Sequence, residues 1–474
     1  MFINYNEEKI GILSYTKPTL IGLANIGATC YMNATLQSLS NIDSLTNYFL
    51  IFQNIFLQDS IKYDLSNEYA KLIKNLWDTK NTKKYFEPYD FKNKISQKNP
   101  LFSGIAANDS KDLILFIFQE LHNELNIINP NNRYNMNNND MNNQFRDQRN
   151  EKEEYKLFIK NYYSCNNSII QKIFYGEQET INYCHNCKAT IYNFNIYSFL
   201  IFPLEKVRLY LASIKKDGFE KVTLEDCFLN YISEEIMSGD NQMYCNYCHR
   251  NSNYSMINKI YTHPEVLVII LNRGKGLEFD VEFEYPKNFI LNNYINFENN
   301  DNYQNYEIIE YELINVITHL GESSMSGHFI AYCKSPIDNK WYKYNDAVVS
   351  ECSSDFINSN NDELKTIPYV LFYKINKQNL MDYHQTNSQN LINEDINNNI
   401  NSNIITIYFD IKDEKQLYID IDEDKLLNDA IILLIKNSKL PSKYYICYKD
   451  NRQLDVNKSI KENLLINEDH IKII

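Results

Sequence analysis

Two cysteine pairs with the same spacing constrain the fold of this chain more than any other feature of the sequence. The first pair, Cys184 and Cys187, lies in "YCHNCK", and the second, Cys245 and Cys248, lies in "YCNYCHR". Two such CxxC knuckles at the tips of hairpins can hold four thiolates tetrahedrally around Zn²⁺. A closed four-cysteine site has no coordination position left for a substrate, so the pattern predicts one structural zinc ion. Four unrelated buried thiols are the alternative.

Net charge and hydropathy exclude several classes of protein. The 474 residues include 47 Lys and Arg against 61 Asp and Glu, a formal net charge of −14, which argues against a general nucleic-acid binder. The longest apolar run, "VLVIIL" (266–271), predicts a buried strand and is far shorter than the roughly 20 residues of a membrane-spanning helix. The N-terminus has no signal-peptide pattern. We therefore expect a soluble protein of the cytoplasm or nucleus, without a membrane partner, whose ten cysteines are reduced.

The residue pattern divides the chain into two folded parts. After a short leader (1–18), apolar residues at helical spacing prevail to about residue 125, and short β-branched and aromatic strands follow from about residue 165. Two Asn-rich stretches interrupt this order. The stretch 127–152 is predicted to be a disordered insertion, and 375–402 a linker. The sequence thus predicts an α+β domain over 19–374 that is followed by a second domain.

The C-terminal segment, 403–474, has the pattern of a small separate domain. "IITIYFDI" and "KQLYIDID" alternate as paired strands do, "KLLNDAIILLIKNSKLP" predicts a helix that ends before Pro441, and "YYICYKDNRQL" returns to strand. This order resembles the β-grasp fold of the ubiquitin-like domain family; an unrelated small α+β domain is the alternative. The sequence ends in "HIKII" and not in two glycines, so we expect a fused regulatory domain and not a conjugated modifier.

One cysteine outside the two knuckles occupies a position suited to nucleophilic catalysis. Cys30 lies in "NIGATCYMNATLQ", between a tight loop that Gly22 and Gly27 allow and the predicted start of a helix. A thiol at a helix N-terminus ionises more readily than a free thiol, and the thiolate is the nucleophilic form. Taken alone, a cysteine such as Cys30 is more often a buried structural thiol.

A catalytic thiol needs a base and a group that orients this base. His328, in "SGHFIAYCK", opens a predicted strand, and "WYKYNDAVV" follows with Asn345 and Asp346. Adjacent antiparallel strands would place the His328 ring beside Asn345, and either Asn345 or Asp346 can accept a hydrogen bond from the imidazole Nδ1–H. His319 is the alternative base. A strand histidine and a turn-forming "ND" pair are the ordinary structural explanations.

Four motifs, in order, resemble those of the ubiquitin-specific protease family of deubiquitinases over about 19–374. They are "GLANIGATCYMNATLQSL", "YCHNC…YCNYC", "YELINVITHLGESSMSGHFIAYC" and "KWYKYNDAVVSE". The resemblance implies a papain-like cysteine protease with thumb, palm and zinc-ribbon fingers. It also implies ubiquitin and ubiquitinated proteins as partners.

The resemblance assigns roles to individual residues. Cys30 corresponds to the nucleophile, His328 to the general base and Asn345 to the third member of a Cys–His–Asn triad. Asn25 corresponds to the oxyanion-hole donor, and Asp346 to an acidic residue that supports it. The implied reaction is hydrolysis of the isopeptide or peptide bond at the C-terminal glycine of ubiquitin through a thioester.

One further position concerns substrate binding. Asp109 corresponds to the acidic residue that pairs with the basic ubiquitin tail, and a helix cap is nearly as good an explanation of it. Its neighbours Asn108, Ser110, Lys111 and Asp112 depart from the family's Gln-Gln-Asp-Ala-Gln-Glu pattern. These departures leave the preferred ubiquitin linkage open.

Two other functions are compatible with the same sequence. The first is a non-catalytic ubiquitin-binding adaptor with a degenerate protease fold, against which the complete Cys–His–Asn set argues. The second is a zinc-ribbon scaffold whose C-terminal domain recruits the proteasome or another partner.

Overall fold

The structure is a computed structural model in which the chain forms two compact units, Met1–Tyr383 and His384–Ile474. The boundary between them falls inside the linker predicted at 375–402. The structure describes residues 17–58, 62–80, 82–128, 150–214, 221–273, 281–295, 308–323, 326–354, 366–376, 404–411, 417–422, 447–449, 452–453 and 469–473. Nearly all of the predicted leader and linker, and most of the predicted insertion, lie outside the described residues.

Helices dominate the first part of the N-terminal unit, as the apolar spacing predicts. They are α1 (Cys30–Ser40), α2 (Asp43–Gln58), α3 (Asp64–Leu76), α4 (Tyr89–Lys98), α5 (Ser110–Leu125), α6 (Glu151–Tyr163), α7 (Ile169–Phe174), α8 (Leu204–Ile214) and α9 (Leu224–Ile232). Short 3₁₀ turns occur at Pro100–Phe102, Gly239–Asn241 and Leu291–Tyr294. In the described part of the chain, no helix has the length and apolar character that a membrane span requires.

Helix α6 begins inside the stretch 127–152 that the sequence predicts to be disordered. Asn150 caps the helix, because its side chain accepts from the Glu153 N–H at 3.0 Å while the Glu153 carboxylate accepts from the Asn150 N–H. The prediction was therefore wrong for 150–152. The capping box of Asn150 and Glu153 marks the start of a helix, but an analysis of composition alone does not detect it.

A large mixed sheet forms the centre of the N-terminal unit. Its strands, in spatial order, are β17 (Val348–Cys352), β16 (Trp341–Asn345), β15 (Ser326–Lys334), β14 (Glu310–Ser323), β18 (Thr366–Ile375), β11 (Val266–Asn272) and β5 (Leu200–Pro203), and β13 (Asn288–Ile290) also pairs with β14. Neighbouring strands are antiparallel except for β11 and β5, which are parallel.

Two apolar cores lie on the opposite faces of this sheet. In β11, Val266, Val268 and Ile270 pack in the core that includes α1 to α5, whereas the intervening residues pack in the core that includes α8 and α9. This arrangement explains the unbroken apolar run "VLVIIL", because a strand covered on both faces needs no polar side. The predicted buried strand is confirmed.

A smaller four-stranded sheet carries the cysteine knuckles. Its spatial order is β4 (Thr190–Tyr197), β3 (Gly176–Cys184), β10 (Tyr254–Ile260) and β7 (Glu235–Met237), and the hairpin β8 (Met243–Cys245) with β9 (Arg250–Ser252) lies next to it in sequence. At the base of β3, the buried Glu177 carboxylate accepts hydrogen bonds from Tyr155 at 2.8 Å and Tyr163 at 2.9 Å. These bonds join α6 to the small sheet and satisfy a carboxylate that would otherwise be costly to bury.

Two short parallel pairs complete the N-terminal unit. β1 (Gly22–Leu23) pairs with β2 (Tyr85–Phe86), and β6 (Val222–Thr223) pairs with β12 (Phe283–Glu284). A Cβ atom on Gly22 would lie 2.5 Å from the Ala347 carbonyl oxygen, so β1 approaches the turn after β16 as closely as only glycine allows.

The C-terminal unit contains one five-stranded sheet in its described residues. The spatial order is β20 (Leu417–Asp422), β19 (Ile404–Ile411), β23 (Asp469–Ile473), β21 (Cys447–Lys449) and β22 (Arg452–Gln453), and the central pair β19–β23 is parallel. The predicted alternating strands over 404–411 and 417–422 are present. The predicted helix before Pro441 lies outside the described residues.

Candidate active site and metal centre

Cys30 is the first residue of α1, a helix whose residues are all buried. The thiol residue itself is 6% exposed, and α1 packs against β15, the strand that carries His328. The preceding loop turns sharply, with φ of 124° at Gly27 and 47° at Ala28. The sequence prediction of a tight loop leading into a helix at Cys30 is confirmed, and the helix N-terminus favours a negative charge at this position.

The His328 ring lies between Cys30 and Asn345. Its Nε2–H donates to Asn345 Oδ1 at 2.6 Å, so Nδ1 is the ring nitrogen left for the thiol. The sequence predicted the pairing of His328 with Asn345 but assigned the wrong nitrogen to it, Nδ1. Nε2 is the atom farther from the backbone, and it spans the gap to the next strand.

The surroundings of His328 favour its protonated form. The hydrogen bond with Cys30 raises the pKa of this imidazole to about 9, and the Asn345 bond and the Asp346 charge act in the same direction, whereas burial opposes them. An imidazolium beside a thiol is the partner that stabilises the thiolate. The geometry therefore suits His328 as the group that exchanges a proton with the Cys30 thiol.

Asp346 holds the loop before Cys30 in place. Its Oδ2 accepts from Asn25 Nδ2 at 3.0 Å, and its Oδ1 accepts from Asn33 Nδ2 at 2.7 Å. The side-chain oxygen of Asn25, Oδ1, accepts from the backbone N–H of Gly27 at 3.3 Å and of Thr29 at 3.1 Å. These bonds fix the orientation of the Asn25 amide and leave its second N–H as a donor.

Asn33 is a site residue that the sequence analysis missed. It lies one helical turn after Cys30 on α1 and is 2% exposed. Its side chain also donates to the carbonyl oxygens of Leu23 and Ala24, each at 3.2 Å. A polar residue three positions after the thiol, on the same face of a buried helix, is the signal that could have revealed it.

Asp109 caps α5 and also contacts β18 through Tyr369. Its Oδ1 accepts from the Lys111 N–H at 2.9 Å, and its Oδ2 accepts from the Tyr369 hydroxyl at 2.5 Å. The Lys111 ammonium lies 3.2 Å from the same carboxylate. The predicted helix cap is confirmed, and Tyr369 and Lys111 are partners that sequence reasoning did not identify.

His319, the alternative base, lies on β14, the neighbouring strand of β15, and pairs in register with Phe329. It is 3% exposed, and its ring contacts Phe329 with centroids 4.9 Å apart. A Cβ atom on Gly327 would lie 2.2 Å from His319 Cε1, so the residue before His328 must be glycine for the two strands to approach this closely. Burial lowers the pKa of His319. The structure therefore favours His328 as the base.

The four knuckle cysteines converge, with all sulfur atoms within 4.8 Å of one another. Cys184 and Cys248 are 4.0 Å apart and Cys187 and Cys245 are 3.6 Å apart, close to the ~3.8 Å edge of a tetrahedron with Zn–S bonds of ~2.3 Å.

The two knuckles share one backbone geometry. The N–H of Lys188 donates to Cys184 O at 2.9 Å and that of His249 donates to Cys245 O at 2.8 Å, and both donor residues have a positive φ. Each of the two turns directs two sulfur atoms toward the same point. The donor set and its shape therefore fit one zinc ion.

A thiol at the start of a buried helix, with a histidine and an asparagine on neighbouring strands, defines the class of papain-like cysteine hydrolases. Residues 21–373 match the family model described as ubiquitin carboxyl-terminal hydrolase. The chain belongs to this family, in its ubiquitin-specific protease branch, whose members are cysteine proteases.

Curated relatives agree with this assignment. The chain is 28% identical to ubiquitin carboxyl-terminal hydrolase 2 of Bos taurus, over 75% of this chain and 55% of that protein. The human protein of the same name is 28% identical over 77% of this chain and 56% of its own length. The chain thus spans about half the length of these relatives, whereas it covers 93% of the Gallus gallus protein, at 29% identity.

Solved structures share the fold. The SAGA Ubp8/Sgf11/Sus1/Sgf73 DUB module bound to ubiquitin aldehyde aligns with a TM-score of 0.54 at 21% identity, over 76% of this chain and 70% of that chain. The same module bound to monoubiquitin aligns with a TM-score of 0.51 at 19% identity.

Proposed function

We propose that this protein is a thiol-dependent deubiquitinase that hydrolyses the bond at the C-terminal glycine of ubiquitin. The observation that carries the proposal is the position of the His328 ring, which is hydrogen-bonded to Asn345 through Nε2 and whose pKa is raised chiefly by the neighbouring Cys30 thiol. The family assignment supplies the substrate class. Ubiquitin and ubiquitinated proteins are the partners that follow from it.

In the proposed mechanism, the Cys30 thiolate attacks the carbonyl carbon of the C-terminal glycine. The developing oxyanion accepts hydrogen bonds from the free Asn25 N–H and from backbone N–H groups near Cys30. One donor of this kind contributes roughly 3 kcal/mol in other proteases. The imidazolium of His328 then protonates the leaving amine, and a thioester remains.

The second half of the reaction regenerates the enzyme. Neutral His328 takes a proton from water as the water oxygen attacks the thioester carbonyl, and the tetrahedral intermediate collapses with cleavage of the C–S bond. The Cys30 thiolate is expelled beside the imidazolium, and ubiquitin is released with a free C-terminal carboxylate. Asn345 holds the ring in the required tautomer throughout, because its carbonyl oxygen accepts from Nε2–H in both protonation states.

The direct test is turnover of ubiquitin with a fluorogenic amide at its C-terminus. Wild-type protein should release the fluorophore, and Cys30→Ala should not. The alternative function, a non-catalytic ubiquitin-binding adaptor, predicts tight ubiquitin binding without turnover by the wild-type protein. That result would refute the proposed activity.

We further propose that one zinc ion binds Cys184, Cys187, Cys245 and Cys248. Support comes from the near-tetrahedral sulfur distances and the paired knuckle turns. The ion would hold the end of β3 and the β8–β9 hairpin together and take no part in the chemistry, because the cysteines fill its coordination sphere. The thiols require reducing conditions, and we place the protein in the cytoplasm or nucleus.

We infer that the C-terminal unit is a ubiquitin-like domain of β-grasp fold. Support comes from its sheet order, in which the first and last strands form a central parallel pair and each is flanked by an antiparallel neighbour. Its candidate role is to bind the proteasome or another partner. Loss of a captured partner on deletion of 403–474, with turnover of the fluorogenic substrate retained, would support that role.

A further inference from the structure

Tyr254, the first residue of β10, has a buried hydroxyl group without an acceptor. The residue is 1% exposed, and within the described part of the chain its hydroxyl has no hydrogen-bond partner. A phenylalanine would fill the same space without burying a polar group. Because a buried hydroxyl that makes no hydrogen bond opposes folding, the oxygen atom at this position needs an explanation.

The Tyr254 side chain packs against the four-cysteine cluster. It pairs in register with Cys184 at the end of β3, and it forms one buried apolar cluster with Cys184 and Cys245. Burial raises the pKa of the Tyr254 hydroxyl, and the neighbouring sulfurs of Cys245 and Cys184 raise it further. The hydroxyl therefore lies beside one sulfur from each knuckle.

A second buried hydroxyl lies beside a third sulfur. Ser252, the last residue of β9, is 4% exposed, and its Oγ lies 3.5 Å from Cys248 Sγ. The same Oγ lies 3.4 Å from the Arg250 carbonyl oxygen, to which it can donate instead. Because one residue separates Ser252 from Tyr254, the short crossing from β9 to β10 brings hydroxyl groups to three of the four sulfurs.

Metal binding changes what these sulfurs can accept. A cysteine loses its proton when it coordinates zinc, and four thiolates carry more negative charge than one Zn²⁺ neutralises. The loaded centre therefore keeps a net negative charge next to buried side chains. Hydrogen bonds from neighbouring donors stabilise such a charge, and a hydroxyl can rotate its proton towards the sulfur.

We propose that the hydroxyls of Tyr254 and Ser252 donate hydrogen bonds to the zinc-bound thiolates and thereby determine how tightly the metal is retained. The proposal rests on the proposed zinc site. It explains the buried hydroxyl of Tyr254, because the acceptor that this group lacks forms when the sulfurs lose their protons. Both residues are positioning residues, which act on the metal through its ligands.

The test compares the full-length wild-type protein with Tyr254→Phe, Ser252→Ala and a control variant, Tyr183→Phe. Each substitution deletes one hydroxyl. Tyr183 directly precedes Cys184 on β3, and because side chains alternate along a strand, it lies on the opposite face of the sheet. Zinc affinity is measured by competition with a chromophoric chelator. Each protein is also loaded with Co²⁺, whose thiolate-to-metal charge-transfer absorption reports the electron density on the sulfurs.

We expect Tyr254→Phe and Ser252→Ala each to raise the zinc dissociation constant by about tenfold, the lower end of the effect of groups that hold metal ligands. In both variants the charge-transfer absorption of the Co²⁺ protein should move to longer wavelength, because a thiolate without the hydrogen bond gives up electron density more readily. Tyr183→Phe should match the wild type in both measurements. The absorption comes only from metal-loaded sites, so partial unfolding of a variant does not imitate this shift.

Unchanged zinc affinity in both variants would overturn the proposal. Weaker zinc binding with an unchanged charge-transfer wavelength would overturn it as well, because that result assigns the two residues a structural role alone. Failure of the zinc site itself is distinguishable from these results, because the wild type and the Tyr183→Phe control would then bind neither metal, and the proposal would fall with the site.

Discussion

Asp346 connects parts of the candidate site that are distant in sequence. Its carboxylate accepts from Asn25, in the loop before the thiol, and from Asn33, on the helix after it. Its backbone carbonyl accepts from the Leu23 N–H at 2.9 Å. Because the residue has a positive φ of 51°, the turn presents both its carboxylate and its carbonyl to the thiol-bearing segment.

Asn33→Ala should lower kcat on the fluorogenic ubiquitin substrate by roughly tenfold to a hundredfold, because Asn25 would lose part of its alignment through Asp346. The matched control is Gln37→Ala, one turn further along α1. Gln37 is 3% exposed and donates to the Ile21 carbonyl at 2.9 Å, away from Asp346. Both variants should lose about 1–3 kcal/mol of stability. Equal kcat values in the two would contradict a positioning role for Asn33.

The pKa of His328 should fall when its main cause is removed. Cys30→Ala deletes the hydrogen bond that raises this pKa to about 9, so an NMR titration of the imidazole should show a clearly lower midpoint in the variant. Cys165→Ala, which alters a thiol outside the site, should leave the midpoint unchanged. Identical titrations of wild-type and Cys30→Ala protein would refute the pairing.

The same shift has a consequence for stability. The folded-state pKa of His328 lies above the ordinary imidazole value of about 6.5, so its stabilising contribution is complete below that pH. The contribution is lost as the pH rises through about 9. The difference in the free energy of unfolding between the wild type and Cys30→Ala should therefore become smaller as the pH rises from about 6.5 to about 9.

At the residue scale, sequence alone predicted which side chains come together better than it predicted the atoms through which they contact one another. Cys30, His328, Asn345 and Asp346 lie in short motifs whose spacing along a loop–helix and a strand–turn is informative. Which ring nitrogen of His328 contacts Asn345 depends on the distance between the side chains of two neighbouring strands, and the sequence does not give this distance. The contact of Tyr369 with Asp109 joins residues 260 positions apart, which no local pattern encodes.

At the scale of secondary-structure elements, the geometry of the two cysteine knuckles predicts that the protein binds zinc. Purified protein should contain about one zinc per chain. The Cys184→Ser variant should lose the metal and have a lower thermal stability in the four-stranded sheet of β4, β3, β10 and β7. Cys165→Ser is the control, because this thiol lies outside the cluster. Metal content is measured by elemental analysis after dialysis. A zinc content unaffected by Cys184→Ser would contradict the site.

The type of most elements, although not their order in the sheets, could be predicted from sequence. "VLVIIL" predicts a buried strand because both of its faces are apolar, and the helical spacing over 110–125 predicts α5. The neighbours of each strand follow from long-range packing and could not be predicted. The start of α6 was missed, because its capping box lies at the end of an Asn-rich stretch.

At the scale of the whole molecule, the chain consists of two units joined through an Asn-rich stretch. Composition predicted this division, because such a stretch has too few apolar side chains to offset the entropy lost on ordering. Outside the Asn-rich insertion of the catalytic unit, limited proteolysis should therefore cut first between residues 377 and 403. The larger fragment should retain turnover of the fluorogenic substrate. Loss of turnover on cleavage between residues 377 and 403 would contradict an independent catalytic unit.

The most direct test of the central claim is the reaction of full-length protein with ubiquitin that carries a thiol-reactive electrophile in place of its C-terminal carboxylate. The thiolate–imidazolium geometry predicts one ubiquitin adduct per chain, and peptide mapping by mass spectrometry should place it on Cys30. Cys30→Ala should give no adduct. A correctly folded wild-type protein that forms no adduct, or forms it on another cysteine, would contradict the assignment of Cys30 as the nucleophile.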